Sequence, residues 1–479
     1  MTTTQSEELA QLPEEIMFSI TKASSGYRAR VGTLKALDKP AIETPHFLAV
    51  TSRGVVPHLS QDTFARQTDI SGVYTALEDY VEKAPQSIPP LYTFKPSDGS
   101  SPLRRFIALP NDNLLVLGAR RTPPVAPPVG KAASTMPLLN TSLVIMTSFG
   151  FRRISTKDYR DETLMLQPDI VVGLGDIPYG ADKVSRKKID KITDRTSRWM
   201  QEHVAARRDA RKAGQAYPAL FAPLLPLPIE AQKWYTDQLV EEMRDGIQGI
   251  AVYDTCALEH LPVELDPLPR LSFTEPKNPH IVLREVEHGV DVLTLPFIGA
   301  ATDAGIALDF SFPPPSSSAP AEGLHPLGID MWSPAHSTDL SPLRKECACY
   351  ACTNHHRAYL QHLLHAKEML GWVLLQIHNH HVISTFFAGI RASVSNDTFS
   401  SDVEAFSAYY EPELPAKTGQ GPRVRGYQFK SEGPSEPRKN PAAYKALNDA
   451  TERLAEAVVP SPNADAEDLE AHGFAEKAS

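Results

Sequence analysis

Three of the chain's four cysteines fall within six residues, as Cys347-Ala-Cys349-Tyr-Ala-Cys352, and no other feature restricts the fold so tightly. Thiolates this close repel one another and need a shared cation. Zinc suits the set, because it takes four tetrahedral ligands and favours thiolate and imidazole. Three thiols on one turn leave a fourth position open. Histidines crowd the next stretch: His355, His356, His362, His365, His378, His380 and His381. Spacing alone leaves two readings. His355 would complete a compact loop, whereas His378 would tie a loop–helix–helix unit together. A redox dithiol at Cys349 and Cys352 is the competing chemistry, but no thioredoxin-like strand precedes it and a third thiol crowds it. Cys256 stands alone and reads as a packed strand-end residue. The expectation is one structural zinc ion.

The rest of the chain must supply the body that carries this cluster. Its 479 residues are 42% hydrophobic, enough for a large core and incompatible with disorder throughout. No run of eighteen apolar residues occurs, so no spanning helix is expected. The first residues are polar and acidic, unlike a secretory or transit peptide. A cytoplasmic protein is expected, with peripheral association with an organelle surface left open. The net charge of −10 excludes a generic polyanion binder, so any nucleic-acid contact must come from a local patch. One candidate is Lys183 to Lys212, with eleven basic residues against four acidic ones. Lys187, Lys188 and Arg207 are its candidate phosphate contacts. The competing reading is a solvated helix with ion pairs along its face, Trp199 and Met200 turned inward.

Proline punctuates the chain. Runs at Thr122–Pro128 and Ser311–Pro320 read as loops spanning about 120–130 and 311–322. The expected organisation is a flexible N-terminus (1–16), a body (17–412) containing a metal subdomain at about 340–395, and a low-order tail (413–479). One short helix is expected in that tail, around Ala442–Val458. Within the body, strands are expected at Phe47–Val50, Asn113–Leu117, Leu143–Met146, Ile170–Val172, Gly249–Val252, His280–Leu283 and Val292–Leu295. Helices are expected at Lys187–Ala213, Ile229–Arg244, Ala358–Leu370 and Trp372–Arg391. This alternation predicts an α/β fold with parallel strands, as barrel or doubly wound sheet.

The cysteine segment, followed by Arg357-Ala358-Tyr359-Leu360, His362-Leu363-Leu364, Glu368, Leu370 and Ile377-His378-Asn379, resembles the zinc segment of tRNA-guanine (queuine) transglycosylases. Weaker landmarks follow in order: Glu43-Thr44-Pro45-His46-Phe47, Asp194-Arg195-Thr196, Gly249-Ile250-Ala251-Val252 and Gly289-Val290-Asp291. Together they cover roughly residues 17 to 395. The resemblance implies a (β/α)8 TIM-like barrel with an inserted zinc-binding subdomain, and selects His378 as the fourth zinc ligand. It also places an active site at the C-terminal ends of the strands.

Family members exchange guanine at the tRNA wobble position for a 7-deazaguanine base, using an aspartate nucleophile and a second aspartate for proton transfer. Where the resemblance puts the nucleophile, this chain has Thr294. Where it puts the second aspartate, in a D-S-G-G-F-Q element, it has Thr147-Ser148-Phe149-Gly150-Phe151-Arg152, with Phe149 expected to fill the purine's space. The third, base-reading carboxylate is displaced to Asp176, and a V-Q-G-G loop has become Leu224-Leu225-Pro226-Leu227. Asp291 is expected to keep a structural hydrogen bond.

The resemblance is therefore to the family's eukaryotic non-catalytic accessory members. These pair as a heterodimer with a catalytic subunit that inserts queuine, and meet tRNA through the complex. No catalytic residue is expected here. The metal set is Cys347, Cys349, Cys352 and His378. The alternatives are a divergent active transglycosylase using a displaced carboxylate such as Asp291, and a zinc-stabilised tRNA-binding scaffold without a transferase partner.

Overall fold

A computed structural model describes residues 16–23, 28–82, 84, 87–126, 140–179, 184–315 and 323–422. The expected flexible segment before Ile16, Lys183, the prolines at 127–128, 313–320 beyond residue 315, and the tail helix lie outside the described residues. The chain opens with an antiparallel sheet of β1 (Ile16–Ala23), β2 (Arg30–Ala36) and β3 (Ile42–Thr44). Eight parallel strands then close into a barrel: β4 (His46–Val50), β5 (Gly72–Ala76) and β6 (Leu114–Gly118) come first. A hairpin, β7 (Ser142–Thr147) and β8 (Gly150–Ser155), interrupts the series. The barrel resumes with β9 (Ile170–Val172), β10 (Ala219–Leu224), β11 (Gly249–Val252), β12 (Arg270–Ser272) and β13 (Val292–Thr294), and β13 pairs back onto β4. The expected (β/α)8 TIM-like barrel is the observed fold.

The barrel strands are short and buried on both faces, as parallel strands covered by helices must be. Successive side chains alternate between two cores. Leu48, Val116, Ile170, Phe221 and Leu271 fill the barrel; Phe47, Leu115, Val171, Leu220 and Ile250 face the surrounding helices. Ile16, Leu34, Ala36 and Ile42 of the opening sheet join the inner cluster. That sheet is thus a floor under the N-terminal ends of the strands.

Helices α1 (Gln61–Gln67), α2 (Glu78–Val81), α3 (Pro90–Thr93) and α4 (Pro102–Phe106) occupy the early connections. Next come α5 (Thr156–Leu166), α6 (Arg186–Lys212), α7 (Lys233–Glu241), α8 (Pro279–Glu287) and α9 (Pro296–Ala304). A two-stranded ladder, β14 (Ile306–Leu308) with β15 (Gly328–Asp330), precedes α10 (Tyr350–Asn354), α11 (Arg357–His365), α12 (Met369–Ser395) and α13 (Phe399–Tyr409). Among the described residues no helix is long and apolar enough to cross a membrane.

Several expected elements are corrected. His280–Leu283 is not a strand but part of α8: Asn278 caps it by accepting the Ile281 amide at 3.1 Å, Pro279 opens its first turn, and Val282, Leu283 and Val286 share its buried face. A short apolar run does not by itself distinguish strand from helix. Leu143–Met146 is a strand, but in the hairpin outside the barrel. The helix expected through Ala358–Leu370 breaks where Lys367 adopts a left-handed φ of 57°. Strands β5, β10 and β12 were not expected; Pro218 and Pro223 hide the second from a reading of local propensity. Residues 413–422 of the expected tail stay on the body, with Leu414 against the core and Thr418 Oγ1 donating to Asp330 at 2.6 Å.

Candidate metal centre and barrel mouth

Cys349 caps α10, its Sγ accepting the Cys352 amide at 3.4 Å, so one turn orients both sulfurs to the same side. Cys347 joins them from the preceding turn, partly exposed. His378 enters from the middle of α12, fully buried. Its Nδ1 lies 3.7, 3.6 and 3.3 Å from the sulfurs of Cys347, Cys349 and Cys352. All four ligand atoms lie within 4.8 Å of one another. Bonds of about 2.3 Å to sulfur and 2.0–2.1 Å to nitrogen put tetrahedral S···N edges at about 3.6 Å. The donor set therefore fits a tetrahedral Cys3His ion in number, type and spacing.

The protons tell the same story. Hydrogen bonding among the three sulfurs holds the Cys347 thiol far below its ordinary range and pushes that of Cys349 far above it. Three crowded thiols cannot all ionise without a cation between them. His378 Nε2 donates to the Leu308 carbonyl at 2.9 Å, which leaves Nδ1 with its lone pair toward the sulfurs. Geometry thus decides between the two histidines that spacing left open. His355 instead stacks on Tyr359 at 5.1 Å, and His356 caps α11 by accepting the Tyr359 amide. His380 is buried against Phe47, and His381 approaches Asp69 at 3.4 Å.

At the barrel mouth, the two positions that the resemblance singled out carry hydroxyls. Thr294 ends β13 fully buried, with its hydroxyl donating to the Ser272 carbonyl at 3.1 Å. Thr147 closes the hairpin turn, donating to the Gly150 carbonyl at 2.9 Å and accepting the Phe149 amide. Phe149 does not fill a purine's space: it is 45% exposed at the hairpin tip, which corrects the expectation. Asp176 is buried and engaged by Arg195, while Thr196 Oγ1 accepts its amide at 3.0 Å. The Asp-Arg-Thr element of α6 therefore braces this loop. Leu225 and Leu227 pack with Ile177 and Ile192.

Three rings missed in the sequence, Tyr74, Tyr253 and Phe273, occupy the mouth, with a fourth, Tyr179, beside them. Tyr74 meets Phe273 edge-on at 5.0 Å, and Tyr253 stacks on Phe273 at 5.4 Å. Tyr179 lies beneath the Arg120 guanidinium at 4.8 Å. The space left between them is about 30 Å³, room for water. The available signal was positional. Tyr253 and Phe273 directly follow β11 and β12, where barrel catalysts stand, and Tyr74 points in from the middle of β5.

Asp291 is absent from this mouth. It precedes β13 at the floor, and its carboxylate accepts from Arg30 Nε and Nη2 at 2.8 and 2.6 Å and from the Arg270 amide at 2.8 Å. On α6, Lys187 and Lys188 stand exposed. Arg207 does not: it is 1% exposed, facing inward beside His203 and Val204 and donating to the Gly246 carbonyl at 3.4 Å. Its place as a phosphate contact is withdrawn, because helical periodicity puts it on the buried face.

Comparison with known proteins places this architecture. Residues 25–412 match the family described as Queuine tRNA-ribosyltransferase. A Schizosaccharomyces pombe protein named Queuine tRNA-ribosyltransferase accessory subunit 2 is 35% identical, over 86% of this chain and 88% of its own length. Proteins of the same name from Drosophila mojavensis and Drosophila melanogaster are 26% and 28% identical, over 80% and 79% of this chain and 90% and 88% of theirs.

Proposed function

Because the chain belongs to the queuine tRNA-ribosyltransferase family, we propose that it serves there as a non-catalytic accessory subunit. In this role it pairs with a catalytic subunit that exchanges guanine for queuine at the tRNA wobble position. The observation that carries the reading is the mouth: an intact barrel whose reacting positions hold Thr294 and Thr147 and whose base space holds three rings. A buried hydroxyl bonded to a backbone carbonyl forms no glycosyl ester of the kind a carboxylate forms.

Cys347, Cys349, Cys352 and His378 hold one zinc ion in this reading. Thiolate ligation makes its binding part of the folding free energy of the subdomain. The partner's contact surface is assigned to that subdomain and its adjoining helices. Exposed apolar side chains there support the assignment: Leu340, Tyr350, Met369 and Leu370 all stand in solvent.

The N-terminal end of α6 is assigned to tRNA. Arg186, Lys187 and Lys188 fill its first turn, with no acidic residue and no side-chain cap. Cations at the positive end of a helix dipole are unfavourable for folding, so an anionic partner accounts for them better than stability does. The cytoplasm, with its reduced thiols, suits the cluster. A displaced nucleophile at Asp291 is disfavoured by that residue's place at the floor, on the far side from the strand ends.

The test is labelled-guanine release from tRNA. The isolated chain should release none with queuine and zinc present, and a one-to-one mixture with the catalytic subunit should turn over. Native mass analysis should find that heterodimer; recovery of the chain with tRNA but no transferase would favour the scaffold alternative.

A further inference from the structure

We infer that Asn379 is a positioning residue that couples occupancy of the metal centre to the seam where the barrel closes; this rests on the zinc reading above. Asn379 follows His378 on α12 and is completely buried in a largely apolar helix. A buried amide is costly unless fully bonded. Here it is: Oδ1 accepts the Leu308 amide at 2.9 Å, while Nδ2 donates to Thr302 Oγ1 at 2.9 Å and to the Ile306 carbonyl at 3.0 Å.

Among the described residues, the backbone it holds has no other partner on that side. β14 pairs with β15 along one edge only, where the Asp309 amide reaches the Leu327 carbonyl and the Met331 amide reaches that of Gly305. Its other edge is served by side chains of α12. His378 takes the Leu308 carbonyl and Asn379 takes the Leu308 amide, so consecutive residues grip both polar groups of one residue. The short asparagine amide can do this, offering one acceptor and two donors without charge.

The grip spans the seam. Thr302 lies on α9, which directly follows the last barrel strand, β13; α12 also packs on the first strand, β4, through Phe387 stacked on Phe47 at 5.7 Å. A metal that fixes His378 fixes the turn of α12 carrying Asn379, and with it β14 and α9. The Leu308 carbonyl is the group bonded to His378, and disturbing such a partner typically changes metal affinity by about 10–100-fold.

The experiment uses the full chain, zinc, and hydrogen exchange of a peptide covering residues 305–310. In the wild type, stripping zinc with a chelator should accelerate exchange in this peptide while the amides of β6, across the barrel, stay protected. Asn379→Ala should keep the four ligands yet lose zinc to a competing chelator about 10–100-fold more readily. Its 305–310 peptide should exchange fast with or without zinc. Wild-type exchange that ignores zinc removal, or spreads equally to β6, would overturn the coupling, and needs no variant to be seen. A wild type that binds no stoichiometric zinc would instead sink the zinc reading itself, and the coupling with it.

Discussion

Arg30 grips Asp291 through two hydrogen bonds, at 2.8 and 2.6 Å, in a pair almost wholly removed from solvent beneath the barrel. The same guanidinium donates to the carbonyls of Asp266 and Leu268, so it fastens the floor sheet to the loops entering β12 and β13. Asp291 is a structural carboxylate. Replacing it by asparagine leaves Arg30 buried without its counter-charge, a loss on the order of 3–5 kcal/mol. Denaturant titration of Asp291→Asn should show that loss, with guanine release by the isolated chain absent before and after. Turnover that vanished in the variant would restore the displaced-nucleophile reading.

In the proposed reading Cys349 is a zinc ligand, and it also caps α10. Serine keeps the cap and removes the thiolate. Cys349→Ser should therefore purify with less than one zinc per chain and unfold at lower denaturant. Unchanged metal content measured by elemental analysis would remove Cys349 from the site.

Lys187 and Lys188 face solvent, whereas Arg207 faces the interior. Reversing the two lysines to glutamate should weaken binding of tRNA to the heterodimer. It should also lower the slope of log K against log salt by up to about 2, one unit per lost phosphate contact. Arg207→Gln should lower stability and leave that slope alone. Equal slopes for all three proteins would make α6 an ordinary solvated helix.

Burial lowers the pKa of His46 and His203 to about 3 and that of His380 to about 4. A histidine depressed in the folded state contributes stability that is full above its unfolded value, near 6.5, and is lost as pH falls toward the folded value. Each contributes on the order of 1.4 kcal/mol per pH unit in that window. Glu285 runs the other way. Burial raises it to about 6, so its contribution is present below about 4.5 and is lost as pH rises through 6. Burial raises Glu162 and Glu275 as well, each to about 7, so between pH 6 and 4.5 the three carboxyls offset the three histidines. Stability should therefore change little between pH 6 and 4.5 and fall below pH 4.5. His203→Phe, placed between Tyr159 and Tyr217, should reduce the slope by about one proton; an unaltered slope in urea titrations would remove His203 from this account.

Donor chemistry and local order were legible in the sequence. The three cysteines name a soft cation wherever the chain puts them, because the turn that joins them is only six residues long. The family resemblance, and not the residues alone, put Thr294 and Thr147 at reacting positions; the sequence itself shows that hydroxyls stand there. The alternation of strands and helices announced a parallel sheet, although β10 was concealed by its prolines and α8 by its strand-like apolar run.

What the tertiary structure decided was always a matter of direction. It chose His378 over His355, because ligand geometry depends on how α12 crosses α10 and not on spacing along the chain. Helical phase turned Arg207 inward, and the hairpin tip carried Phe149 out to solvent. Asp291 went to the floor because it enters its strand rather than leaving it. Tyr74, Tyr253 and Phe273, drawn from strands far apart in sequence, met only when the barrel closed. Covalent order sets which groups a chain owns and which are neighbours within a turn. Contacts between distant segments arise from burial of apolar faces against one another, which no short window of sequence contains.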